Sequence, residues 1–290
     1  MGELFALLTA VIWAAAVILL KRSGEDVPPF ALNLFRVVVS TALLLPTVLL
    51  AGEARWDGWS LSDLLILFAS GILAIAISDT LFHMSLNVVG AGISAIIDCL
   101  YSPLTVLLAM LFLNERLGPL QLFGMALVIS GVLAASRHEP PRGITPRQLL
   151  LGVVWGVLAM VTLAAGIVIA KPVLDRAPVL WATAVRQIGC LLVMAPAAVL
   201  SRRRRSILGV FHPSRTWRFS SPAAFLGSYL ALICWIAGMK YTKVGIAAIL
   251  NQSSTIYILI LAAIFLRERF TVRKLVASAV AVAGILLVTL

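Results

Sequence analysis

The sequence predicts an all-α integral membrane protein of ten transmembrane helices, arranged as two inverted five-helix repeats. Three observations carry this. Of 290 residues 61% are hydrophobic and 12% charged, with a mean hydropathy of +1.06, far from the composition of a soluble domain. The apolar residues form continuous runs of about 20, the length that crosses roughly 30 Å of hydrocarbon as a helix, and do not alternate as barrel strands do. The chain also repeats itself: FLNERL (112–117) returns as FLRERF (265–270).

Polar interruptions place the spans at 4–20, 30–51, 64–86, 91–113, 119–135, 149–170, 178–200, 222–239, 244–266 and 272–290. The first run has small residues at Ala14, Ala15 and Ala16, but it lacks a basic leader and is read as a retained helix. The second opens after Pro28 and contains Arg36. The third carries Asp79, His83 and Asn87 four residues apart, hence on one face. The fourth sets Asp98, Tyr101, Ser102 and Thr105 beside Pro103, a residue that bends a helix and frees a carbonyl one turn earlier. The fifth is rich in small residues. Spans six to ten repeat this plan, with a linker at 136–148 between a first repeat at 1–135 and a second at 149–290.

The duplication holds a constant register. At an offset of 153, Gly92, Ile93, Ala95, Phe112, Leu113, Glu115, Arg116 and Gly131 fall on identical residues. Upstream the offset is 150 and pairs Lys21, Pro28, Arg36 and Pro46 with Lys171, Pro178, Arg186 and Pro196. Five spans per copy send the second copy into the membrane from the opposite side. Inverted repeats suit a machine that presents one central site to each side in turn.

The net charge of +11 is spread over short loops, so no nucleic-acid surface is expected. Lysines and arginines concentrate in linkers after odd-numbered spans, as at Lys21, Arg22 and Arg202 to Arg205. The positive-inside rule places these in the cytoplasm, against anionic lipid, and both termini outside. Cys99, Cys190 and Cys234 all lie inside spans and offer neither a disulfide framework nor a metal site. No cofactor is expected.

Of twelve acidic residues, Asp79 and Asp98 lie well inside spans, where an ionisable group is costly unless paired or facing water. Asp79, His83 and Asp98 are candidates for proton coupling; a buried pair that fixes helix packing is the plainer reading of Asp79 and His83. Asp98, Tyr101 and Ser102 have counterparts at Asn251, Ser254 and Thr255 beside Gln252, and these two polar faces are expected to meet and bind substrate. Trp13 and Trp235 lie too deep for an interfacial belt; they wall an apolar cavity or pack within the bundle. Lys21, Lys171, Arg36, Arg186, Glu115 and Glu268 are read as structural or mouth charges: the lysines as interfacial residues or counter-charges at the mouth, the arginines as residues that snorkel to the interface, brace helix ends or meet an anionic substrate, and the two glutamates as helix-end charges at short turns. Small residues on the fifth and tenth spans permit close helix approach, inside the bundle or in a homodimer.

The run WAAAVILLK (13–21), the prolines at 28–29, Arg36, ALLLP (42–46), GAGISAI (90–96) and FLNERL, with their second-half counterparts, resemble a drug/metabolite transporter of the EamA type. The resemblance implies a central cavity lined by helices 1, 3, 4, 6, 8 and 9, and efflux or exchange of small metabolites across a cell membrane, the bacterial inner membrane, without ATP; two buried acids and two deep arginines suit a zwitterion such as an amino acid, and equally a cation or a neutral metabolite. Members are usually drawn with both termini in the cytoplasm; the loop charges here favour the reverse. An intramembrane enzyme would need a convergent catalytic set, and the chain carries neither H-E-x-x-H nor G-x-S-x-G. A receptor or purely structural membrane protein would leave the duplication without a purpose; a lipid-handling or structural subunit is the remaining alternative.

Overall fold

A computed structural model describes residues 1–24, 26–54, 58–135, 144–265 and 272–289. Every regular element among them is helical: α1 (Gly2–Ser23), α2 (Pro29–Leu50), α3 (Leu61–Gly71), α4 (Ser78–Asp98), α5 (Tyr101–Phe112), α6 (Pro119–Ala135), α7 (Pro146–Leu174), α8 (Val179–Leu200), the short α9 (Arg204–Leu208) and α10 (Trp217–Ala223), α11 (Ala231–Tyr241), α12 (Val244–Asn251), α13 (Ser254–Phe265) and α14 (Val272–Thr289). Six helical stretches, among them Leu61–Val89 and Trp217–Tyr241, are long and apolar enough to cross a membrane; four further apolar helices are shorter. Leu4, Leu8, Leu65, Leu111, Phe112, Leu192 and Val276 are exposed on the outside of the bundle. Such a surface is tolerable only against lipid.

Start and stop signals follow local chemistry. Pro29 stands at the first turn of α2, where its missing N–H costs nothing. Ser60 and Thr145 cap α3 and α7 through reciprocal bonds with Asp63 and Gln148. Within α4 the chain doubles back: a straight helix would hold Ser85 and Ile97 about 18 Å apart, yet a β-carbon at Gly156 would touch both. The reversal at Val88 and Val89 presses on Gly152, as the turn at Tyr241 and Thr242 presses on Gly2. These are equivalent positions at the two offsets.

Two further irregularities recur at the offset of 153. Wide, π-type turns occupy Ile72–Ile77 and Ala224–Leu230, and α4 and α12 both stop after residues 98 and 251 for a two-residue break before the next helix. In the first half the break precedes Pro103, which cannot donate back to Cys99. The small residues of α6 and α14 meet inside the bundle, where a β-carbon at Gly284 would lie 2.6 Å from the carbonyl oxygen of Gly124. One contiguous apolar core runs from Ala6 through Ile167 and Trp181 to Ile249 and joins both halves.

Candidate functional site

The wide turns and the two helix breaks border one central cavity of about 140 Å³. The wide turns bring Ala74, Ile75, Gly227 and Ser228 to its wall, and the helix breaks bring Asp98, Tyr101, Asn251 and Ser254. Wide turns and broken helices free backbone from the regular ladder, and in membranes they occur where that backbone lines a cavity. The lining follows the repeat. Ala10, Trp13 and Val37 are matched at an offset of 150 by Met160, Leu163 and Gln187. Ala74, Ile75, Ser78, Asp79, Phe82, Asp98 and Tyr101 are matched at 153 by Gly227, Ser228, Ala231, Leu232, Trp235, Asn251 and Ser254. Thr9, Arg36 and Gln252 complete the wall. The cavity thus lies where the two halves meet.

The wall is chemically lopsided. Both acids come from the first half, where Asp79 and Asp98 stand opposite Leu232 and Asn251. Arg36 carries the positive charge. Its Nε donates to Ser228 Oγ at 2.9 Å, Nη1 to His83 Nε2 at 2.8 Å, and Nη2 lies 3.6 Å from Asp79 Oδ2. A guanidinium has only donors, so His83 accepts at Nε2 and carries its proton on Nδ1. The guanidinium also lies 5.5 Å from the ring of Trp13, within cation–π reach. Asp79 and His83 therefore share a helix face as expected, but Arg36 stands between them.

The polar faces at the two breaks are joined. Gln252 Nε2 donates to the Asp98 carbonyl at 2.8 Å, one of the acceptors that the break releases. Asn251, oriented to satisfy its neighbours, donates to the Ala6 carbonyl and accepts from Trp235 Nε1, each at 2.9 Å. That bond pins the Trp235 indole to the wall. The Asp98 side chain faces the cavity with no hydrogen-bond partner among the described residues.

Other predicted residues sit elsewhere. Ser102 and Thr255 are buried behind the wall, and Arg186 lies against Trp235, 5.3 Å from its ring. Glu115 caps the other half: its carboxylate accepts from the backbone N–H groups of Val244 and Gly245 at 2.9 and 3.1 Å, the first turn of α12. Glu268 lies outside the described residues. Lys171, buried at the end of α7, donates to Asp175 Oδ1 at 2.6 Å and to the carbonyls of Met239 and Thr242 at 2.7 and 3.2 Å, whereas Lys21 is exposed.

Lys171 and Glu115 belong to one tied end of the bundle. There Thr242 donates to Glu3 at 2.9 Å, Glu53 accepts from the N–H groups of Leu180 and Trp181, Lys240 donates to the Ala177 carbonyl and Arg176 pairs with Asp63. The sequence does not single out Glu53 and Asp63 at the tied end, nor Gln187, Ser228, Thr9 and Ser78 on the wall. The repeat held the signal for two of them: Gln187 and Ser228 are the counterparts of Val37 and Ile75, apolar residues on the same wall.

Comparison with known proteins gives the same picture. The EamA-like transporter family model matches residues 1–137 and again 150–290. An uncharacterized transporter of Archaeoglobus fulgidus is 25% identical over 287 residues, 99% of this chain and 97% of its own length. An uncharacterized transporter of Clostridium kluyveri is 24% identical over 59% of this chain and 56% of its own. A solved crystal structure superposes with a TM-score of 0.79 at 18% identity, covering 99% of this chain and 96% of that one, a likeness of fold. Both copies of the family model fall on this chain, which belongs to the EamA-like transporter family within the drug/metabolite transporters and is a multi-pass membrane transporter.

Proposed function

We propose that the chain is a ten-span secondary transporter that exports small zwitterionic metabolites such as amino acids by alternating access. Its halves, 1–135 and 149–290, enter the membrane in opposite senses, and their exchange of conformation moves the central cavity between the two sides. The observation that carries this reading is the lining itself. Residues 150 or 153 apart wall one cavity in pairs, and the wall offers two carboxylates, a guanidinium and aromatic rings at membrane depth. That combination holds a small molecule with both charges and an apolar body, and it has no use in a packing core.

The tied end carries Met1, and the loop charges favour an outward position for it. In this arrangement the cavity loads from the cytoplasm of a bacterial inner membrane, the sense that export requires. Asp98, unpaired on the wall, is the group we assign to proton exchange, with Asp79 as its partner acid. Counterflow of a labelled amino-acid pool by purified protein in liposomes tests the reading. Exchange above protein-free liposomes is expected, and its absence across the whole pool would overturn it.

A further inference from the structure

The repeat leaves one buried cation without its partners. Arg36 and Arg186 are equivalent residues at the offset of 150, 2% and 0% exposed. Arg36 is held on every side, by Ser228, His83 and Asp79. Arg186 donates through Nε to Ser70 Oγ at 2.9 Å, and both its Nη atoms are buried with no acceptor among the described residues. The cause is legible in the sequence. At the offset of 153 the counterparts of His83 and Asp79 are Ile236 and Leu232. The second half keeps the cation and discards both of its acceptors.

Guanidinium does not discharge itself by losing a proton, and a buried charge without a partner is strongly unfavourable. The free Nη pair is the fork that fits a carboxylate through two parallel bonds. Arg186 lies against the indole of Trp235, a cavity residue. On the same wall Gln252 Oε1 is buried with no donor among the described residues, and the Asp98 carboxylate supplies the opposite charge.

We propose that Arg186 receives the carboxylate of the transported substrate. Asp98 and Gln252 Oε1 receive its ammonium group, and the aromatic wall receives its side chain. The carboxylate reaches Arg186 when the Trp235 indole, pinned by Asn251, moves aside during the exchange of states. The assignment rests on the transport reading of this cavity, and it makes a free carboxylate the requirement for recognition.

The test is competition against counterflow in liposomes, with each amino acid of the pool set beside its amide, for wild type and Arg186→Gln. The melting temperature of each protein is measured in detergent. Wild type is expected to favour acid over amide by about tenfold or more, as a site built for one polar group does. Arg186→Gln is expected to level that preference, with a melting temperature equal to or above that of wild type. Equal ranking of acids and amides by wild type, or a preference that survives in Arg186→Gln, would remove Arg186 from recognition while leaving the transporter standing. No exchange of any pool member would overturn the transport reading and this assignment with it.

Discussion

Lys171 and Lys21 are the same residue of the two repeats, and they stand in opposite conditions. Lys171 is buried and closes on Asp175 and the carbonyls of Met239 and Thr242, while Lys21 is exposed, with no hydrogen bond to the described residues. Two copies of one sequence in two states is the asymmetry expected of an inverted repeat stopped at one end of its cycle. Lys171→Met is expected to lower stability by about 2 kcal/mol, the scale of buried bonds to a charged group, and Lys21→Met to leave it unchanged. Unfolding in detergent checks this; equal effects would remove the asymmetry.

Glu115 ties the halves by capping α12 from the first repeat. Glu115→Ala is expected to cost about 1 kcal/mol, the usual value of an N-cap, and Glu115→Gln less, since its amide oxygen still accepts. Melting temperatures of the two variants give the order. A larger loss for Gln than for Ala would contradict the capping role.

Arg36, bonded to Ser228 and His83 and ion-paired with Asp79, anchors a charged cluster at the cavity wall. Arg36→Met leaves His83 buried without its donor and Asp79 on the cavity wall without its counter-charge, and a loss of about 3 kcal/mol or more is expected. The contrast with Arg186 is the informative part: the same substitution at Arg186 removes a cation whose two Nη atoms are buried with no acceptor among the described residues, at the loss of one bond to Ser70, and is expected to be neutral or stabilising. Paired melting curves check both at once.

Gly71 is where α3 passes over α8, and a β-carbon there would fall on the backbone carbonyl of Arg186. Gly71→Ala is expected to push α3 away at the height of the cavity. Overpacking of this kind costs about 1–3 kcal/mol, and the altered wall should lower exchange more than folding. Normal exchange and stability in the variant would show that the contact yields freely.

Much of the cavity wall is legible in the sequence. Trp13, Asp79, Asp98, Tyr101, Trp235, Asn251, Gln252 and Ser254 stand out in the sequence because polar or aromatic residues at membrane depth are conspicuous, and all eight line the cavity. Pro103 announced the break before it. Periodicity does not reveal which side chain a charged residue selects. Arg36 reads as a snorkelling or bracing residue until α2, α4 and the wide turn at Ser228 are packed together. The wide turns at Ile72–Ile77 and Ala224–Leu230 carry no proline and no composition signal; they arise from packing. The ties made by Glu53 and Asp63 across the bundle are hidden for a simpler reason: Leu180, Trp181 and Arg176 lie more than a hundred residues away, and only the cap that Asp63 shares with Ser60 is local.

The most direct test of the account is amino-acid exchange by the purified protein in liposomes loaded with a pH-sensitive dye, beside Asp98→Asn. Substrate-dependent proton movement in wild type, lost in the variant, is the predicted result. Exchange that proceeds in both proteins without proton movement would contradict the role of Asp98 and leave the cavity as a path for facilitated exchange.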